Sequence, residues 1–119
     1  MDLVNYPSVE LGGKTFTLKY RYKDMKLLAD EHKIDLFEVP AFSEKIDEKF
    51  VPLRGLALMD RVIKLLAYGA QISVEEAAEV ITVRDMPDAI NAIRQAVVKA
   101  SPQATATEKA APGLPSQIQ

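Results

Sequence analysis

Ser8-Val9-Glu10-Leu11-Gly12-Gly13-Lys14-Thr15-Phe16-Thr17-Leu18-Lys19-Tyr20-Arg21-Tyr22 decides the fold. Val9 and Leu11 alternate with Ser8 and Glu10, and Phe16, Leu18, Tyr20 and Tyr22 alternate with Thr15, Thr17, Lys19 and Arg21. Period-two alternation gives a strand one apolar and one polar face. Gly12-Gly13 between the runs supplies the positive φ angles of a tight hairpin turn. A lone hairpin is marginal in water, so its apolar face needs helices to pack on.

The rest of the chain supplies them. Lys23 to about Lys33 reads as a first helix, with Met25, Leu28, Ala29 and His32 on one face. Leu53 to about Tyr68 reads as a central helix: Leu56, Met59, Ile63 and Leu66 recur at helical spacing, flanked by Leu58, Val62 and Leu65. Gly69 stands where a left-handed C-terminal residue belongs. Ser73-Val74-Glu75-Glu76 is a capping box opening a helix to about Val83 that buries Val74, Ala77, Ala78 and Ile81. Asp85 or Met86, with Pro87 in the first turn, starts the last helix. That helix aligns Met86, Ile90, Ile93, Val97 and Ala100, and its Ala89, Ala92 and Ala96 would permit close helix approach. The expected fold is α+β: an N-terminal β-hairpin packed on a small, mostly helical array of four to five helices, one domain over residues 1–100. Residues 101–119 carry Pro102, Pro112 and Pro115 with few bulky apolar side chains, and are expected to form a disordered tail.

Composition limits the chemistry. With no cysteine, disulfides and thiolate metal sites are impossible. A net charge of −2 gives no strong field toward nucleic acid or anionic membrane. Met1-Asp2-Leu3-Val4-Asn5 lacks the basic and apolar regions of a signal peptide, and no apolar run reaches membrane-spanning length, so a cytoplasmic location is expected. Gly12-Gly13-Lys14-Thr15 ends like a phosphate-binding loop. That motif, however, needs a glycine where Ser8 stands and a helix after the loop, whereas a strand pattern follows here. His32 is the only histidine; its acidic sequence neighbours Asp30, Glu31 and Asp35 do not converge with it on a helix face. Lys19-Tyr20-Arg21-Tyr22-Lys23 could offer bases a stacking platform, but alternation sends the tyrosines to the face opposite Lys19 and Arg21. The carboxylates Glu44, Asp47, Glu48, Glu75, Glu76 and Glu79 are scattered and read as a solvated face, while Met25, Met59 and Met86 read as core filler. No catalytic, cofactor or metal residue is expected.

What is left is an apolar surplus in residues 34–52. Ile34, Leu36, Phe37, Val39, Phe42, Ile46, Phe50 and Val51 follow neither period throughout, and Pro40 and Pro52 punctuate the stretch. Ser43 could cap a short helix with Ile46 and Phe50 four residues apart. Apolar side chains left outside the core mark a protein-interaction surface. Phe37, Phe42 and Phe50 are the expected partner-binding anchors, because an aromatic buries a large area with few rotatable bonds. The competing reading is that these phenylalanines complete the core.

Val9-Glu10-Leu11-Gly12-Gly13-Lys14-Thr15-Phe16-Thr17-Leu18 precedes a short helix; Leu65-Leu66-Ala67-Tyr68-Gly69-Ala70 leads into Ser73-Val74-Glu75-Glu76-Ala77; an alanine-rich helix ends near Ala100. Over roughly residues 8–100 this resembles the tail assembly chaperones of long-tailed bacteriophages, in particular the type related to gene transfer agents. The resemblance implies a non-enzymatic protein of the host bacterial cytoplasm, not expected in the mature virion. It implies binding to the tape measure protein, and possibly to the tail tube protein, while the tube polymerises, with no nucleic acid, membrane or cofactor required. It also implies that a longer, frameshifted form can exist, for which the Ala/Pro/Thr tail would suit a linker. Self-association is compatible with the same surface. The runner-up is another phage structural or adaptor protein, such as a head-tail completion or scaffold protein.

Overall fold

The computed structural model describes residues 6–100. The expected tail, 101–119, lies outside the described residues. The Gly-Gly signal is realised as strands β1 (Ser8–Leu11) and β2 (Lys14–Thr17), paired antiparallel with Val9 opposite Phe16 and Leu11 opposite Lys14. Gly12 and Gly13 take φ of 58° and 81°, the conformation a two-residue turn with matching twist demands. Val9 and Leu11 are buried, and their neighbours Ser8 and Glu10 are exposed. The ladder ends at Thr17, after which Leu18 donates its N–H to the Pro7 carbonyl and Lys19 donates to Gly69. Leu18 and Tyr20 therefore enter the core as expected, but Tyr22 does not. The chain turns into a helix there, and Tyr22 lies exposed on its first turn.

That helix, α1 (Tyr22–His32), begins where Asp24 accepts the Arg21 backbone N–H at 2.9 Å. It stops at Lys33, held at φ 60°, where Ile34 reaches back to the Leu28 carbonyl at 3.0 Å. Lys33 is the left-handed residue that ends the helix, and Ile34 just beyond it packs as a buried apolar side chain. Met25 and Leu28 are buried; Ala29 and His32 are half-buried.

Residues 43–52 correct the sequence reading. Instead of a helix capped by Ser43 they form a second hairpin, β3 (Ser43–Ile46) and β4 (Lys49–Pro52), with Lys45 opposite Phe50 and Ile46 opposite Lys49. The turn residues Asp47 and Glu48 have φ of 51° and 66°, although neither is glycine. Asp tolerates the left-handed region; Glu has no such dispensation, and the position carries strain. The β-forming Phe50 and Val51 favour a strand over a helix just before Pro52.

The central helix α2 spans Gly55–Ala70, starting two residues later than expected. Its buried stripe is Val62, Leu65, Leu66, Ala67 and Gly69; Met59 and Ile63 sit at its margin, and Leu56 is exposed. The left-handed residue that ends it is Gln71, not Gly69. Gly69 is helical and serves another purpose: the Tyr20 ring lies against it, so close that a Cβ there would stand 2.8 Å from Tyr20 Cζ. The Tyr20 hydroxyl donates to the Leu65 carbonyl one turn earlier.

The capping box is present as read, with Ser73 Oγ accepting the Glu76 N–H at 3.0 Å. Helix α3 (Val74–Val80) is shorter than expected; Ala77 is buried, Ile81 is buried just past its end, and Ala78 faces solvent. A single 3-10 turn, Val83–Asp85, leads into α4 (Met86–Ala100). Ala89, Ala92, Ile93 and Ala96 form its buried face, so the small residues do allow α4 to close on α2 and β1. The fold is α+β: among the described residues, two hairpins and four α-helices around one core. No described helix is long and apolar enough to cross a membrane.

Candidate functional site

The polar side chains form ties between elements. Asp24, almost fully buried, accepts from the Arg21 backbone N–H, the Arg21 guanidinium and the Gln71 amide. Burial acts to raise its pKa, but the hydrogen bonds from Arg21 and Gln71 outweigh it and hold the carboxyl below its usual range. This cluster clips the start of α1 to the end of α2 and borders a hollow of about 340 Å³.

At the other end of α1, the Tyr68 hydroxyl donates to Glu31 at 3.0 Å, and His32 Nε2 lies 3.2 Å from the Tyr68 oxygen. Glu31, His32 and Tyr68 are an arrangement that sequence spacing does not bring together, since Tyr68 comes from α2. Burial and the Glu31 carboxylate push the Tyr68 phenol upward. It therefore stays protonated at neutral pH. The Tyr20 phenol is pushed up by burial and by nearby Asp24, and is committed to the Leu65 carbonyl.

Gly12-Gly13-Lys14-Thr15 runs directly into β2, so no helix N-terminus faces that loop. Of the tyrosines in the basic stripe, Tyr20 is in the core and has no face open to a base. No group of three or more His, Asp or Glu side chains among the described residues is placed to hold a metal.

The phenylalanines divide. Phe42 is 7% exposed and belongs to the core, with the Arg94 guanidinium 5.5 Å above its ring; packing there takes it off the surface. Phe37 (44% exposed) and Phe50 (53%) lie outside. Phe37 sits in a turn fixed by Asp35, whose carboxylate accepts the Phe37 N–H at 3.0 Å. Phe50 projects from the second hairpin, which sends apolar groups to both sides. Opposed residues of an antiparallel pair share a face. One face thus carries Ile46 and Val51 with Glu44 and Lys49; the other carries Phe50 and Pro52 with Ser43 and Lys45. Residues 44–52 are all exposed.

Ile46 and Val51 are therefore surface residues that the helical reading of Ser43–Phe50 missed, and Leu56, 83% exposed at the start of α2, is another. The β-forming pair Phe50-Val51 just before Pro52 is the signal that could have found the second strand. Under the base of the hairpin Arg61, half-buried, donates from Nη1 to the carbonyls of Ala41 at 2.8 Å and Ser43 at 3.3 Å. Burial lowers its pKa, opposed by Glu44 and Asp60. An apolar hollow of about 390 Å³ opens between Pro40, Phe42, Pro52 and the Val97–Val98 end of α4.

The site is thus a hairpin with exposed apolar side chains on both faces. Compared with protein-family models, with curated proteins and with solved structures, the chain matches none.

Proposed function

We propose that this chain is a non-enzymatic protein-binding module whose working surface is the projecting β3–β4 hairpin together with Phe37. Within that class we propose a tail assembly chaperone of a long-tailed phage, of the type related to gene transfer agents. It would hold the tape measure protein, and possibly the tail tube protein, in the host cytoplasm until the tube forms. The observation that carries the reading is the exposure of Ile46, Phe50 and Val51 on the two faces of one hairpin, with Phe37 exposed on the turn that precedes it in the chain. Large apolar side chains left in water at one place lower solubility unless a partner covers them. Burying them against an apolar segment of a long, aggregation-prone chain would supply affinity without chemistry.

The test is co-expression of the full chain with fragments of the candidate tape measure protein, scoring how much of each fragment stays soluble and co-purifies. The reading expects retention by the wild-type chain and a loss of roughly tenfold or more in affinity for Phe50→Ala combined with Ile46→Ala, an interface-sized effect. Equal retention by the double variant would refute the surface. Recovery of the protein as a stoichiometric component of purified particles would refute the chaperone role in favour of a structural or adaptor one.

A further inference from the structure

We infer that the β3–β4 hairpin is a pivoting arm, latched to the domain by Arg61, and that it swings as one body about its two stems. Its strands pair only with each other, and residues 44–52 are exposed throughout, so the arm adds no side chain to the buried core. The stems are different in kind from the arm. One is fixed by the buried Phe42 ring, the other by the half-buried Leu53, which donates to the Phe42 carbonyl at 2.9 Å. Beyond Leu53 the chain enters α2 at Gly55, held at φ 58°.

Arg61 is the remaining link from α2 to the arm. Among the described residues no carboxylate lies within ion-pair distance of it. A half-buried guanidinium is ordinarily matched by a carboxylate. Here it is matched by two neutral carbonyls at the point where the arm leaves the core. Such bonds hold the arm in place yet are weaker than an ion pair of two charged groups, which suits a latch that opens. Swinging the arm breaks the bond from Arg61 to the Ser43 carbonyl and the bond from the Ser43 N–H to Pro40, and leaves in place the bond to Ala41, which precedes the Phe42 stem. It leaves the ladder between β3 and β4 whole. The swing would carry Phe50 and Ile46 nearer to or farther from Phe37, adapting the surface to partner segments of different width. That use rests on the partner-binding reading above; the pivot itself does not.

Amide hydrogen exchange on the full chain, read residue by residue by NMR, tests the latch without any partner. In Arg61→Gln the Ser43 amide should exchange about ten- to a hundredfold faster, the effect of losing a charge-assisted hydrogen bond. The ladder amides of Ile46 and Lys49, and those of Leu65 and Leu66 in α2, should keep their wild-type rates. Arg61→Lys, which keeps a charge and a donor, should fall between and guards against a glutamine variant that fails to fold. An unchanged Ser43 rate in both variants would overturn the latch. Equal acceleration at Ile46 and Lys49 would mean that the hairpin melts rather than pivots. Acceleration at Leu65 and Leu66 would mean that Arg61 supports the whole fold. Failure of the tape measure experiment would leave this exchange pattern untouched, so the two proposals fail separately.

Discussion

Gly69→Ala tests whether the contact between Tyr20 and α2 is as close as the fold requires. Inside a helix, alanine in place of glycine gains at most about 1 kcal/mol of backbone propensity. Here the added Cβ would meet Tyr20 Cζ at 2.8 Å and the Tyr20 hydroxyl oxygen at 2.9 Å. The ring has little room to retreat, because Tyr20 is 5% exposed and Lys19 beside it is clamped by its N–H bond to the Gly69 carbonyl. Forcing a methyl into a packed core costs about 1–3 kcal/mol. A displaced ring also loses its bond to the Leu65 carbonyl, roughly 0.5–1.5 kcal/mol net. The clash outweighs the propensity gain, and a net loss of about 1–3 kcal/mol is expected in urea denaturation followed by circular dichroism. The double-mutant cycle isolates the cause. In a Tyr20→Leu background, which removes both clashing atoms, Gly69→Ala should turn neutral or stabilising by up to about 1 kcal/mol. A stabilising Gly69→Ala in the wild type, or an equal loss in both backgrounds, would refute the argument.

Two further outcomes follow from burial and hydrogen bonding. Phe42→Ala should cost about 3–5 kcal/mol in the same denaturation assay, whereas Phe37→Ala and Phe50→Ala should each cost under about 1 kcal/mol; a large loss at Phe50 would place it in the core. Asp24 has a folded-state pKa below its unfolded value, so its stabilisation is full above the unfolded value of about 4 and is lost as pH falls through the folded value. Denaturation midpoints should therefore drop on acidification below about pH 4, and Asp24→Asn should flatten that part of the profile while lowering stability at neutral pH by about 1–3 kcal/mol.

The candidate surface was half legible. Phe37 and Phe50 could be named because apolar side chains in 34–52 exceeded what either period could bury. Phe42 could not be separated from them, since its burial depends on Arg94, Val97 and Val98 from a helix some fifty residues later. Ile46 and Val51 were hidden by a coincidence: Ile46 and Phe50 stand four apart, a helical spacing, and the turn between them has Asp47-Glu48 in place of the glycine or asparagine that marks a tight hairpin.

The sequence by itself determined the elements whose signals are local. Gly12-Gly13 with its flanking alternation, the Ser73–Glu76 cap, Pro87 in a first helical turn and the alanine stripe of α4 act through neighbours a few residues away, so spacing alone reads them. It also determined that no thiolate chemistry is available, because cysteine is absent. Only the tertiary structure decided which arc of α2 is buried, because an apolar arc that wide offers several faces and the choice falls to what packs on it. Tyr20, Ala92 and Ile93 select the side of Val62, Leu66 and Gly69 and leave Leu56 in solvent. For the same reason Gly69, read locally as a helix terminator, turned out to be a seat for an aromatic ring. A glycine's conformational freedom is visible along the chain, but the space it leaves is visible only when the other strand arrives to fill it.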